Sequence, residues 1–339
     1  MQTTVGVPAE RSGFLPDRTV HLHPLARCNL ACKHCYSSSS PTANDILSMD
    51  QLRPALSKLR AEGYEVLSLS GGEPMLYPDL ADLIDYARNL GFRTVAITNG
   101  FRVNQRFASL VDRFDGLAVS FDGLAEVHNQ VRLNPRAFDI AVAALRYLVD
   151  VGKLSAAAFT VSRESLAQVP DFVEMVAEIG VNAVQLRPLV MAGRAPRDYA
   201  DPALSVADLN RLWLMGQALA AGYAGQMFIH TDLAHSQLIA QQQCAWRQVL
   251  DGSATRLSDA VNPLVITPQG QLRPFTYDFP EAYDFGTIDD LIGPAGSDWR
   301  LPVGRLGNLV RDVFHEAANR NEFIDWFAFC RDVGRGLTT

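Results

Sequence analysis

The 339-residue sequence contains no uninterrupted apolar stretch near the roughly 18–20 residues that a membrane-spanning helix requires. Its first residues, Met1-Gln2-Thr3-Thr4-Val5-Gly6, show neither a charged leading region nor an apolar core, so no secretory signal is expected. Positive charge is in deficit: 30 Lys+Arg stand against 37 Asp+Glu, a formal net charge of −7. That balance argues against a nucleic-acid backbone as partner. Repeats of 20–50 residues are absent, and the one low-complexity tract is the serine run 37–40. Cysteine is scarce and odd in number, five in all, with three inside eight residues, which makes a poor disulfide framework. Clustered thiols in a reducing compartment are more often metal ligands or redox groups, so a cytoplasmic setting is expected.

What is present is a large core. Hydrophobic residues make up 48% of the chain and charged ones 20%, which excludes global disorder. From about residue 18 to 190, short strand-like runs alternate with helix-length segments. The strand candidates are 18–23, 66–70, 93–98, 117–121, 156–161 and 183–187. Between them, Ala137, Ile140, Ala141, Ala144, Leu145 and Leu148 form one helical stripe, and Val169, Phe172, Val173, Val176 and Ile179 another. Gly91, Gly152 and Gly180 stand where helix C-terminal caps belong. Six such units predict an α/β fold with a parallel sheet, a partial (β/α)6 TIM-like barrel. The strand ends carry the unusual polar residues, so the site is expected on one rim, at the strands' carboxyl ends.

After Met191-Ala192-Gly193-Arg194 the pattern changes to a linker at 195–202 and a helix around 206–221. Beyond Cys244, turns and short strands follow, with Pro268-Gln269-Gly270 as a hairpin signal. The expected organisation is an N-terminal extension at 1–17, a barrel at 18–230 and a small α+β C-terminal domain at 231–339.

Cys28-Asn29-Leu30-Ala31-Cys32-Lys33-His34-Cys35 is the most informative segment. Three thiolates at this spacing can wrap one metal centre and leave a coordination position open. A structural zinc completed by His23 or His34 is an alternative, as is a redox pair at Cys32 and Cys35. The loop by itself says only that a metal site is expected.

With its Cys-x3-Cys-x2-Cys spacing and His34 before the third cysteine, the sequence resembles the radical SAM superfamily. The resemblance implies that Cys28, Cys32 and Cys35 hold a [4Fe–4S] cluster whose fourth iron is chelated by S-adenosylmethionine. It implies reductive cleavage to methionine and a 5′-deoxyadenosyl radical that abstracts a substrate hydrogen. His34 then lies next to the adenine. Gly71-Gly72-Glu73-Pro74 resembles the motif that holds the methionyl amine, the glycines allowing close backbone approach and Glu73 receiving the ammonium. Thr98-Asn99-Gly100 resembles the family's turn after the third strand, with Asn99 a cofactor contact.

Ser120-Phe121-Asp122-Gly123, followed by His128 and Arg132, resembles the sulfatase-maturing and SPASM/twitch branch. There Ser120 and Arg132 would contact the cofactor. Asp122 would order the loop or reach the ribose, and His128 would pack rather than act as a base. Val184 occupies a position that resembles one flanking the adenine.

The C-terminal region departs from this branch. Cys244 resembles the first auxiliary-cluster ligand, but Phe275 stands where the next cysteine would be and only Cys330 remains downstream. Two thiols cannot complete a four-thiolate shell, so a degenerate SPASM/twitch-like cap without auxiliary metal is expected. Cys244 and Cys330 are candidate hydrogen-atom donors, with inert cysteines as the plainer reading. The branch points to a peptide substrate and peptide maturation. A small metabolite such as an aminoglycoside sugar or a tetrapyrrole is the alternative, and a non-catalytic scaffold a third. An external one-electron donor of flavodoxin or ferredoxin type is implied.

Overall fold

The computed structural model describes residues 17–101, 103–200, 203–293 and 300–337. Most of the expected extension at 1–17 lies outside the described residues. Six strands appear where the sequence predicts them: β1 (Thr19–Leu22), β2 (Val66–Leu69), β3 (Arg93–Thr98), β4 (Gly116–Phe121), β5 (Ser155–Val161) and β6 (Ala183–Pro188). Every neighbouring pair is parallel. The crossovers carry α1 (Met49–Ala61), α2 (Leu80–Asn89), α3 (Gln105–Val111), α4 (Ala125–Arg132), α5 (Ala137–Asp150) and α6 (Val169–Ile179). After β6 come α7 (Ala195–Asp198) and α8 (Val206–Gly222), then β7 (Phe228–Thr231), parallel to β6. The sequence does not announce β7, because Phe228 and His230 fall on its exposed face and Ile229 and Thr231 on its buried one, each face mixing an apolar with a polar residue.

Local chemistry sets the helix ends. Ser48 caps α1, its hydroxyl accepting from the Gln51 amide at 3.3 Å while the Gln51 side chain accepts from the Ser48 amide at 3.1 Å. At the other end of the same logic, Gly180 closes α6 with φ +92°, a conformation cheap only for glycine.

Strand register divides each strand's side chains between two faces. Val119, Ala157 and Val184 lie side by side on one face, as do Phe121, Phe159 and Leu186. The helices cover this face: the Phe159 ring stacks on Phe172 of α6 at 4.3 Å between centroids. Ser120, Ala158, Gln185 and His230 occupy the other face. In a flat sheet the five steps from β1 to β6 would separate them by about 24 Å. Yet the Arg187 charge, on β6, acts on His21, on β1, and on Tyr36 just beyond it. The sheet is therefore curled, and the second face lines the inside of a partial barrel.

The sheet continues past residue 230. Strands β8 (Ala234–His235) and β11 (Phe323–Ile324) form a small antiparallel pair. Between them, β9 (Leu264–Ile266) lies parallel to β1, and β10 (Leu272–Pro274) returns antiparallel to β9 through the expected Pro268-Gln269-Gly270 turn. The nine-stranded order is β10-β9-β1-β2-β3-β4-β5-β6-β7. The segment expected as a separate domain at 231–339 thus supplies two strands of the barrel sheet and shares one hydrophobic core with it. Among the described residues, no helix is long and apolar enough to cross a membrane.

Phe159→Ala should cost about 3–5 kcal/mol in denaturant unfolding, because it empties a stacked position on the helix-covered face. Contents of the barrel interior should be untouched, so iron uptake by the folded fraction should equal that of the parent.

Candidate cluster and cofactor site

Residues 24–48, between β1 and α1, form neither helix nor strand apart from isolated bridges, so their backbone groups must find partners elsewhere. The loop first closes on itself: the Ala26 amide donates to Asp45 O at 2.8 Å and the Cys28 amide to Ser40 O at 3.1 Å. The Lys33 amide then donates to Val131 O, near the end of α4, at 2.9 Å. Cys28, Cys32 and Cys35 are all free and half-buried on this loop. Burial pushes the Cys28 thiol up to about 11, reinforced by the Glu73 carboxylate, and the Cys32 thiol up to about 12. Donors already face Cys28: the Leu30 amide lies 3.4 Å and the Asn99 amide nitrogen 3.6 Å from its sulfur.

The Gly71-Gly72-Glu73 segment after β2 packs against this loop. A Cβ on Gly72 would stand 2.1 Å from Arg27 O, and one on Gly71 would stand 2.6 Å from the His23 Cβ. The space the glycines free is used by the chain's own approach to the residues before Cys28. This differs from the expected approach of backbone to ligand. The Gly72 and Glu73 amides complete the contact, donating at 3.0 Å to Leu25 O and Arg27 O. Glu73 is 1% exposed. Its Oε1 accepts from Thr98 Oγ1 at 2.7 Å and the Met75 amide at 3.1 Å, and its Oε2 from the Asn99 amide at 2.9 Å. Burial raises its pKa against these three bonds. A carboxylate held in this way, with one oxygen accepting a single bond, is suited to an ammonium group.

Asp122, after β4, is the hub of the polar site and is 2% exposed. Its Oδ1 lies 2.6 Å from His34 Nε2 and its Oδ2 accepts from Arg132 Nε at 2.6 Å. Burial alone would raise the Asp122 pKa, but the Arg132 guanidinium and His34 overcome it and hold the carboxyl well below its usual range. The side chain thus orders the loop, with both oxygens taken by protein partners. His128 is fully buried, and its Nδ1 accepts from the Asp122 amide at 3.2 Å. Burial and the nearby Arg132 charge pull its pKa down to about 3, so it packs as a neutral ring. Arg132 is 4% exposed, with Asp122 as its counterion.

Ser120 lies on the inner face, half-buried, and its hydroxyl has no protein partner among the described residues. Asn99, at the end of β3, bridges to the cysteine loop, its side chain donating to Asn29 Oδ1 at 2.8 Å. Val184 does not join this group. Strand alternation puts it on the helix-covered face beside Ala157, and the inner-face residue is its neighbour Gln185. Cys330 also lies away from this group. It is fully buried in the hydrophobic core on the helix Trp326–Gly334, where burial holds the thiol well above its usual range. Cys244 is exposed on the turn Gln243–Trp246. Phe275 is buried among aromatic rings, with Trp246, Phe279 and Phe327 at 5.4–5.5 Å between centroids.

Several inner-face residues carry no sequence motif. His23 stacks on Tyr277 at 5.0 Å, and burial lowers its pKa to about 3. Arg187 Nε lies 2.9 Å from Asp232 Oδ2, and Gln185 Nε2 donates to the same carboxylate. Only strand parity, counted from Ser120, could have picked out Gln185 and Arg187.

The donor set fits a cluster better than a single ion. Among the described residues, no three Cys, His, Asp or Glu side chains converge as around one metal ion. Of the two histidines proposed for a structural zinc, His34 bonds Asp122 through Nε2, while His23 stacks on Tyr277 with its Nδ1 buried and without a partner among the described residues. Three soft thiol ligands on one loop suit the irons of a cubane, and Ser120 and Glu73 retain acceptor capacity for a zwitterionic ligand beside it.

Replacing Asp122 by Asn would leave the buried Arg132 charge uncompensated, an expected loss of about 3–5 kcal/mol in denaturant unfolding of the cluster-free protein. His128→Gln, which keeps a hydrogen-bonding side chain, should cost less than half as much in the same measurement.

The radical SAM superfamily family profile matches residues 22–186. The chain is 30% identical over 174 residues to Fe-coproporphyrin III synthase of Methanosarcina barkeri, covering 50% of this chain and 44% of that protein. It is 32% identical over 183 residues to mycofactocin maturase MftC of Mycobacterium tuberculosis, covering 51% and 45%. The chain thus spans under half the length of these curated relatives. The crystal structure of Streptococcus suis SuiB bound to S-adenosylmethionine superposes with a TM-score of 0.63 at 14% identity, over 87% of this chain and 74% of that one. At that identity the likeness speaks for the fold, a partial TIM-like barrel. Profile, relatives and fold agree with the cysteine loop and its surrounding motifs: residues 22–186 form a radical SAM domain, and the superfamily it matches uses a [4Fe–4S] cluster and S-adenosylmethionine.

Proposed function

We propose that this chain cleaves S-adenosylmethionine reductively at one [4Fe–4S] cluster and uses the resulting radical to abstract hydrogen from a peptide. The observation that carries the reading is the convergence of four strand ends on one rim: the three-thiol loop after β1, Glu73 after β2, Asn99 after β3, and Ser120 on β4 with Asp122 just after it. When bound, the cluster supplies the electron that breaks the sulfonium bond to methionine and a 5′-deoxyadenosyl radical.

The chain's own residues do the rest. Cys28, Cys32 and Cys35 ligate the cluster. Glu73 receives the methionyl ammonium, with Gly71 and Gly72 allowing the strand end to sit against the loop. Ser120 Oγ and the Arg132 guanidinium receive the carboxylate, Arg132 being kept charged by Asp122. Asn99 ties the third strand end to the loop, and His34, fixed by Asp122, lies beside the adenine. Substrate occupies the inner face, where Ala118, Ala156 and Ala158 leave room that larger side chains would fill. A reduced cytoplasm and an external flavodoxin- or ferredoxin-type donor suit this chemistry.

Peptide substrates are favoured by the relative named as a mycofactocin maturase. A tetrapyrrole side chain is the second reading, favoured by the likeness to Fe-coproporphyrin III synthase. The C-terminal segment reads as a SPASM/twitch-like cap in which aromatic packing around Phe275 stands where a cluster ligand would be. A redox-neutral outcome, or return of the electron to the single cluster, follows from that.

Anaerobic reconstitution should load one cluster per chain. S-adenosylmethionine plus dithionite should then yield 5′-deoxyadenosine, and Cys28→Ala, Cys32→Ala or Cys35→Ala should abolish both. Cys244→Ala and Cys330→Ala should leave iron content and 5′-deoxyadenosine formation within about twofold of the parent. Loaded parent protein that forms no 5′-deoxyadenosine would sink the catalytic reading. Mass spectrometry of candidate peptides and of coproporphyrin after turnover separates the two substrate classes.

A further inference from the structure

The Met191-Ala192-Gly193-Arg194 segment, where the repeating β-α pattern ends, has no part in the reading above. In space it returns to the cysteine loop from more than 150 residues away in sequence. Gly193 has φ +58°, and a Cβ on it would stand 2.3 Å from Cys35 O and 2.4 Å from Tyr36 O. Nothing larger than glycine fits without moving the loop. The next residue makes three bonds to the same loop. The Arg194 amide donates to Cys35 O at 3.0 Å, its Nε to Cys32 O at 3.0 Å, and its Nη1 to Ser39 O at 2.7 Å. Two of these carbonyls belong to cysteines. Among the described residues the Arg194 Nη2 is buried without a partner, so desolvating this guanidinium is only partly repaid by its own bonds. A costly, charged side chain in this place needs a reason beyond packing.

We propose that Gly193-Arg194 is a positioning clasp for the cluster. It rests on the cofactor reading and deepens it. Arg194 acts through Cys32 and Cys35 without ligating metal. By fixing both carbonyls, it limits the backbone rotations that would carry their thiolates away from a common centre. A guanidinium can do this because its planar fork bonds two carbonyls at once while the main-chain amide holds a third. Its positive charge behind the ligand loop also favours the electron-rich, reduced state of anything the loop holds. Lysine, a point charge on a flexible stem, keeps the charge and loses the fork.

The test uses the full chain, reconstituted anaerobically, with Arg194→Gln, Arg194→Lys and Gly193→Ala. Three quantities are read: the rate of iron loss to a chelator, the cluster's midpoint potential by EPR-monitored titration, and the melting curve of the cluster-free protein. Arg194→Gln should lose iron about 10–100-fold faster than the parent. Its reduction equilibrium should shift about tenfold towards the oxidised state, about 59 mV more negative for one electron. Arg194→Lys should keep the parent potential yet still lose iron faster, and Gly193→Ala should behave likewise. Parent-like iron retention in a folded Arg194→Gln protein would overturn the proposal. If that variant does not fold, Arg194→Lys decides, and parent-like retention there overturns it too. A parent protein that takes up no cluster would overturn the cofactor reading and the clasp together, a result distinct from failure of the clasp alone.

Discussion

An irregular backbone that must hold three sulfurs in a fixed arrangement cannot stabilise itself. Residues 24–40 form no helix or strand, so beyond a few bonds of their own, such as the Cys28 amide to Ser40 O, their buried amides and carbonyls rely on other segments. The partners come from around the rim: Gly72 and Glu73 after β2, Val131 near the end of α4, and Arg194 after β6. Each partner lies at or beyond a strand's carboxyl end, where a parallel sheet leaves loops free to meet. The glycines at 72 and 193 follow from the same constraint, since both sit where backbone presses on backbone. The site's geometry is thus a property of the whole curled sheet rather than of the eight-residue motif.

Most of the barrel was legible because parallel strands buried on both faces read as compact apolar runs. All six predicted strands lie within one or two residues of those observed. Two kinds of feature were not legible. The strand β7 was missed because Phe-Ile-His-Thr alternates without a polar-apolar contrast strong enough to announce itself. The pairing of β9 with β1 joins residues some 240 positions apart, and no local pattern encodes it. The same holds at the site. Motif matching pointed to the cysteines, Glu73 and Arg132, since each lies in a short, ordered string. Val184, singled out in the same way, lies on the helix-covered face with Gln185 on the inner one, because one position along a strand moves a side chain to the opposite face. Arg194 was visible only as the end of a pattern, because its bonds go to carbonyls, which carry no sequence signature.

The charge arrangement has its own economy. Asp122 sits between an arginine from one helix and a histidine from the cysteine loop, so a single carboxylate couples two elements that approach from different strands. Burying such a group is unfavourable unless both partners are held in good geometry, and breaking one contact exposes the cost of the other. The histidines elsewhere on the inner face, His21 and His23, have pKa values lowered to about 4 and about 3 and stay neutral near neutral pH.

The parallel seating of β9 against β1 bears on how this molecule can be divided. Halting translation before residue 264 would strip the first strand of one neighbour and leave its amides and carbonyls as an open seam. That seam lies directly beneath the loop bearing the sulfurs. Such fragments would be prone to self-association through exposed strand edges. A unit cut at the apparent end of the barrel would lose this floor and leave β1 as a bare edge.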